Sequence, residues 1–523
     1  MKKGNLRLNI IFAIHTVGVL AVAFSYLPRW FILPLAGIAL LFCLFTSLEN
    51  ATLFFIRSIP FFVALPLTTN FDSLSFGRVL AVVIFLRWLL QGQSELIWQK
   101  IKNFFVFKQR PIYLTTLVLL GIAILSILVA PSTSLAIKRV IYLFNLSLIG
   151  VVVRDLAIQN AEFTKRVVKN IVIPAILVAL LGLWQLTSTY LMDIYQFVDI
   201  WGNGVERNLF GNAWADIALK ANTWFAYFGE QLSLRMFSIF PDSHSFPMFL
   251  IFALPAVLAL ALYKVIQKES LRKESLREMF KTRGRLLVVA IPLLFLDIIL
   301  TGTRGMWAAG IGSIVTIMVW LYIFRKQGVD QHKKSVFKYI SSYLAVFFLL
   351  FFVAYPIFAS PQFLVSKLDG GLLGQRIHSI INLGETSNSR RLEIWRDSIK
   401  SIAKHPLLGV GISNFPVIVG EDLAKVKAGS SAHNLYLHIA AEMGVPALLL
   451  ALYWFWLLLK SCYQRFRGES DPLLLVYFGA SLIFIVWNLF YLLTDVAIFD
   501  ERTFLLFAVS SGLILCRPTA SKG

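Results

Sequence analysis

Cysteine is scarce in this chain, and the three present, Cys43, Cys462 and Cys516, fall in apolar runs or in basic connectors. That excludes a disulfide framework for an outer domain, and three scattered thiols make no metal set. Acidic residues are also few, 28 against 49 lysines and arginines, for a formal net charge of +21. No repeat of solenoid length and no low-complexity linker breaks the sequence, so neither a repeat array nor tethered modules is indicated. Polar residues in general are short: only 15% of the 523 residues are charged and 58% are hydrophobic.

What is present instead is a series of apolar runs of roughly 18 to 25 residues, each long enough to cross the ~30 Å hydrocarbon layer as a helix. Hydropathy predicts spans over 9–27, 30–48, 51–68, 76–91, 112–130, 137–153 and 168–191, then 244–264, 285–301, 304–323, 339–358, 433–459, 474–493 and 502–516. The expected fold is an all-α polytopic membrane protein with about 12–14 transmembrane helices, a single membrane domain over residues 1–523. In the third run Arg57 and Pro60 interrupt the apolar stretch, which leaves a re-entrant segment as the alternative. The start, MKKGNLRLNIIFAIHTVGVLAVAFS, imitates a signal peptide, but a second apolar run follows at once and an uncleaved first span is expected.

The positive charge is not spread as a nucleic-acid surface. It gathers in connectors 92–111, 264–285, 325–338 and 460–467 and at both ends of the chain. Such connectors stay in the cytoplasm, so both termini are expected inside. Two long segments, 192–243 and 359–432, are then expected outside, the larger one carrying amphipathic helices.

Within that larger segment, SRRLEIWRDSIKSIAK places Leu392, Trp395, Ile399 and Ile402 three and four residues apart, the period of an amphipathic helix lying on a leaflet. Pro406 stops it, and Leu408-Gly409-Val410-Gly411 forms a turn whose amides could approach a ligand. Arg390 and Arg391 begin the helix, where guanidinium forks either hold phosphate oxygens or touch lipid headgroups. Ser430 and Ser431 are candidate caps for the next helix, placing His433 in its first turn, as a proton acceptor near neutral pH or as a structural hydrogen-bonder. Asn434, His438 and Glu442 follow at four-residue spacing as one polar stripe facing the bundle, with Glu442 orienting a cation or completing a buried ion pair.

The turn Thr301-Gly302-Thr303-Arg304-Gly305 sets Arg304 at the outer membrane boundary, as a ligand-facing cation or a snorkelling side chain. The segment RMFSIFPDSHSFPMF brings Arg235, Asp242 and His244 into the mouth of another span. Asp242 and His244, two residues apart and without an identifiable third ligand, do not argue for a metal.

Together, TGTRG, SRRLEIWRDSIKSIAKHPLLGVGISNF and AHNLYLHIAAEMG closely resemble the O-antigen ligase and polymerase family of bacterial surface-glycan enzymes. The resemblance covers residues 285–445. It implies a bacterial cytoplasmic-membrane enzyme that transfers a glycan from a polyprenyl-pyrophosphate carrier, outside the membrane, to a sugar hydroxyl on a glycan, lipid-core or protein acceptor. No cofactor, nucleotide sugar or required metal is implied, and the partners besides donor and acceptor are membrane lipids. By motif position Arg304 and Arg391 would hold the donor pyrophosphate and His433 would take or position the acceptor hydroxyl's proton, with Asn434 and Glu442 in support. Arg235 carries over to the donor site as well, although the family's usual Pro-Asn pair is replaced here by Pro241-Asp242-Ser243-His244. A transporter or flippase of the same lipids is the rival reading, for which mid-membrane polar residues and two similar halves are expected.

Overall fold

A computed structural model describes residues 2–68, 72, 74–91, 111–221, 224–228, 231–270, 284–363, 383–420 and 430–516. Most of the basic connectors 92–111 and 264–285, and the tail from 517, lie outside these residues. The described chain is almost wholly helical: α1 (Lys2–Ala23), α2 (Ile32–Phe45), α3 (Leu48–Ser58), α4 (Phe76–Leu90), α5 (Pro111–Leu125), α6 (Thr133–Gln159), α7 (Ala161–Ser188), α8 (Ser245–Ser270), α9 (Gly284–Leu300), α10 (Arg304–Lys326), α11 (Gln331–Ala359), α12 (Leu383–Lys404), α13 (Leu435–Gly468), α14 (Pro472–Tyr491) and α15 (Glu501–Leu515). Among the described residues nine helices are long and apolar enough to cross a membrane, with shorter apolar helices over Arg29–Phe45 and Val289–Leu300. The protein is an all-α, multi-pass membrane protein.

The helices without a polar face form the centre. In α14 every residue from Leu473 to Ile485 is buried, as is most of α8, and the two pack against each other. A helix that is apolar all round has no solvent-seeking side and therefore sits inside. Asp471 begins α14 by accepting the amides of Leu473 and Leu474, with Pro472 at the first turn where a missing N–H costs nothing.

The third apolar run behaves differently from its neighbours. Its helix, α3, has 11 residues, a rise of roughly 16 Å and about half a bilayer. Pro60 falls in a single 3-10 turn over Ile59–Phe61, after which the chain pairs Ala64–Leu65 with Leu74–Ser75 as a short antiparallel hairpin. Pro60 supplies no amide to continue the helix.

The connectors sort into two ends. One end joins the stretches after α1, α3, α5, α7, α9, α11 and α14: Arg29 meets Asp72 at 2.6 Å, Ser132 N donates to Asn414 Oδ1 at 2.8 Å and Leu435 N to Leu492 O at 2.8 Å. The opposite end is tied by Lys165 to Asp471 at 2.7 Å and by Arg166 to Glu49 at 2.5 Å. Both long segments, 192–243 and 359–432, thus have their described parts at the first end. The former holds short helices over Ile194–Val198, Arg207–Phe210 and Asn212–Ala221, a π-helical stretch over Asp199–Glu206 and a hairpin pairing Phe225–Phe228 with Gln231–Leu234.

Candidate active site

The segment 234–244 is held from several sides before any of its side chains does chemistry. Arg235 N donates to Trp224 O at 2.7 Å and Met236 N to Leu300 O at 3.2 Å. The buried Gln185 amide of α7 accepts from Phe237 N at 3.0 Å and Ser238 N at 2.9 Å. Arg502, 2% exposed, donates to Ile239 O and, at 2.9 Å, to Phe62 O, with its guanidinium 4.5 Å from the Phe210 ring. These bonds satisfy a loop backbone in an apolar setting, where each unmade bond would cost on the order of 1–3 kcal/mol.

On this frame Arg235 is fixed at two of its three guanidinium nitrogens. Its Nε donates to Thr301 O at 3.4 Å, and its Nη2 to His244 Nε2 at 3.0 Å and Thr303 Oγ1 at 3.4 Å. His244 Nδ1 lies 3.1 Å from Asp495 Oδ2. Asp242 caps the start of α8, taking the amides of His244 and Ser245 at 2.8 and 2.7 Å and the Ser245 hydroxyl at 3.1 Å. Burial pulls the Arg235 guanidinium below its ordinary value, the nearby Tyr491, Asp495 and Asp242 pull it up again, and Arg391 adds to the lowering. The margin of arginine leaves it charged.

The TGTRG turn is built into this cluster. Thr303, whose hydroxyl donates to Ser243 O at 2.8 Å, precedes Arg304, the first residue of α10, and Arg304 is exposed. The glycines flanking Arg304 serve packing. A Cβ on Gly302, at φ +63, would sit 3.3 Å from Arg235 Cγ, and one on Gly305 2.1 Å from Thr494 Oγ1.

His433 reaches the cluster from α13, but not as a first-turn residue capped by Ser430 or Ser431. The cap is Asn434, which accepts the amides of Tyr436 and Leu437 at 3.0 and 3.1 Å. Asn434 outcompetes the serines because its carbonyl reaches both free amides of the first turn. His433 stands just before the helix in the left-handed region at φ +45, its N–H donating to Ser431 Oγ at 3.3 Å. Burial lowers the affinity of its imidazole for a proton. Asp495 opposes that, and Arg391, His244 and His438 reinforce it. Arg391, His244 and Asp495 therefore each lie within electrostatic reach of His433.

Helix α12 delivers Arg391, not from its first turn as expected but from its third, because the helix already begins at Leu383. Trp395 Nε1 donates to Ala432 O at 2.8 Å, beside His433, and Ile394 and Ile402 pack on Phe415, Ala432 and Ala441. Arg391, one turn before Trp395, is half-buried, whereas Arg390 is exposed. Leu392 and Ile399, expected on the same face as Trp395, are 61% and 57% exposed on the other side. The helix has one apolar edge for the protein and another for its surroundings.

The amides of the Gly-rich turn are not available to a ligand. Val410 N donates to Ala441 O at 2.9 Å, Gly411 N to Glu442 O at 3.0 Å and Val445 N to Pro406 O at 2.8 Å. Gly444, at φ +85, breaks α13 where a Cβ would lie 2.2 Å from Leu407 O, and a Cβ on Gly409 would lie 2.4 Å from Ala441 O. The glycines permit backbone to lie on backbone. Glu442 adds to the joint by accepting Phe415 N at 3.1 Å, with His438 Nε2 at 3.5 Å.

Sequence reasoning passed over two residues here, Asp495 and Tyr491, whose hydroxyl donates to His244 O at 3.4 Å. Asp495 had one signal: a carboxylate in the short connector LLTDVAIFDER, at the end that holds the cations.

Residues 289–452 match the family model described as O-Antigen ligase. This part of the chain belongs to the O-antigen ligase family. No curated protein matches the chain. The O-antigen ligase region supplies α10, α12 and the first half of α13, hence Arg304, Arg391 and His433, and gives the protein a glycan-transferring function of the ligase or polymerase type.

Proposed function

We propose that the protein transfers a glycan from a polyprenyl-pyrophosphate carrier to a sugar hydroxyl at the outer side of the bacterial cytoplasmic membrane. One observation carries this reading: Arg235 and Arg391 stand within electrostatic reach of each other and His433 within reach of Arg391, all at one end of the bundle. The described lysine- and arginine-rich connectors, 325–338 and 460–467, belong to the other end, which supports placing this end outside.

In the proposed reaction the acceptor oxygen attacks the anomeric carbon as the bond from that carbon to the pyrophosphate oxygen breaks. Negative charge grows on the leaving lipid diphosphate. Arg235, Arg391 and Arg304 stabilise that charge more in the transition state than in the bound donor. The acceptor proton passes to the neutral imidazole of His433. A single displacement inverts the anomeric centre. Asn434 supports His433 by capping α13, and Glu442 supports it by fastening α13 to the turn that follows α12. With a repeat unit as acceptor the outcome is a polymerase, with a lipid core or protein a ligase.

The test is reconstitution of the full chain in vesicles with a polyprenyl-pyrophosphate glycan and a saccharide acceptor. Release of polyprenyl diphosphate with a new glycosidic product is expected. Movement of the donor across the vesicle wall without product would overturn the proposal in favour of a flippase.

A further inference from the structure

The loop from Arg235 to Ser245 contains a histidine placed between a guanidinium and a carboxylate, and hydrogen-bond chemistry decides its form. Every polar hydrogen-bonding position of a guanidinium is a donor. The His244 nitrogen facing Arg235, Nε2 at 3.0 Å, must therefore be the acceptor and carry no proton. The proton of the neutral ring is then on Nδ1, pointing at Asp495 Oδ2 at 3.1 Å, which accepts it. Tautomer and ring orientation follow from the partners alone.

We infer that His244 is a positioning residue: as a neutral imidazole anchored by Asp495, it holds Arg235 in the orientation that receives the donor diphosphate. The inference rests on the proposed role of Arg235 as a diphosphate ligand. Thr301 O and Thr303 Oγ1 are the other acceptors on Arg235, both at 3.4 Å, so the 3.0 Å bond to His244 is its shortest. The ring itself is held at its backbone: the His244 amide is taken by Asp242, and its carbonyl receives the Tyr491 hydroxyl.

The experiment measures binding of a polyprenyl diphosphate to the full chain in nanodiscs at neutral pH. In His244→Gln the side-chain oxygen reaches the Nε2 position and accepts from Arg235, so binding is expected to stay near the parent value. In His244→Asn the amide satisfies Asp495 but falls short of Arg235, and binding is expected to drop about tenfold, the scale of one lost charge-assisted contact. Equal affinities for the parent, Gln and Asn proteins, or equal losses in Gln and Asn, would overturn the inference. Arg235→Ala separates the two layers. If it leaves binding unchanged, the diphosphate role of Arg235 fails. If it weakens binding while the His244 variants do not, only the positioning role fails.

Discussion

The O-antigen ligase region and its flanks contribute to this end of the bundle in different ways. From residues 289–452 come Arg304, exposed at the start of α10, Arg391, half-buried well inside α12, and His433, just before α13. From the flanks come Arg235, Asp242, His244, Tyr491 and Asp495, knitted by hydrogen bonds on a loop that Gln185 and Arg502 hold in place. In the proposed reaction the recognisable region presents groups to the substrate, and the flanks immobilise a counterpart. A site that stabilises charge by preorganisation needs at least one wall that does not relax.

The sharpest break between the two would come from exchanging arginine for lysine. Removing a preorganised donor of this type costs transfer roughly 10²- to 10³-fold. Arg235→Lys is expected to lose nearly all of that, because one ammonium cannot reach Thr301 O, Thr303 Oγ1 and His244 together. Arg391→Lys, half-buried along α12, is expected to keep about a tenth of the activity. Equal losses measured as kcat/KM for the donor would erase the distinction between fixed flank and adaptable motif.

Gly444→Ala tests a different joint of the same region. With φ at +85 and backbone 2.2 Å from the new Cβ, thermal unfolding in detergent is expected to show a loss of about 2–4 kcal/mol. A stable variant would mean that the turn and α13 are not locked together. The pH profile of kcat gives a smaller effect. Because burial lowers the proton affinity of His433, the acid limb is expected below the ordinary imidazole value of about 6.5, with activity intact above it. A limb above that value would contradict a neutral, buried base. Smallest of all, Arg390→Ala is expected to change transfer less than about twofold, since its exposed side chain points away from the edge that carries Trp395 and Arg391.

Much of the fold was legible because fourteen apolar runs announce themselves by length, and helices occur in all of them. The third run shows the limit. Hydropathy counts Phe61, Phe62 and Val63 as helix, while Pro60 ends it in a 3-10 turn at Phe61 and leaves Phe62 and Val63 as a buried entry to the hairpin. Arg304, Arg391 and His433 were visible as charged or titratable groups at span boundaries. The function of the glycines was not. Gly409 and Gly411 read as a ligand-binding turn, and only three dimensions show two backbones pressed together there and at Gly444. Asp495 was equally hidden, since its partner His244 lies 251 positions away. Nothing local marks such a pair.

The central claim is that His433 takes the acceptor proton while the arginines hold the diphosphate. Single-turnover transfer by His433→Ala with donor already bound tests it most directly. The account predicts donor affinity near that of the parent chain and a transfer rate lower by roughly 10²- to 10⁴-fold. An unchanged rate at full occupancy, or loss of donor binding alone, would contradict it.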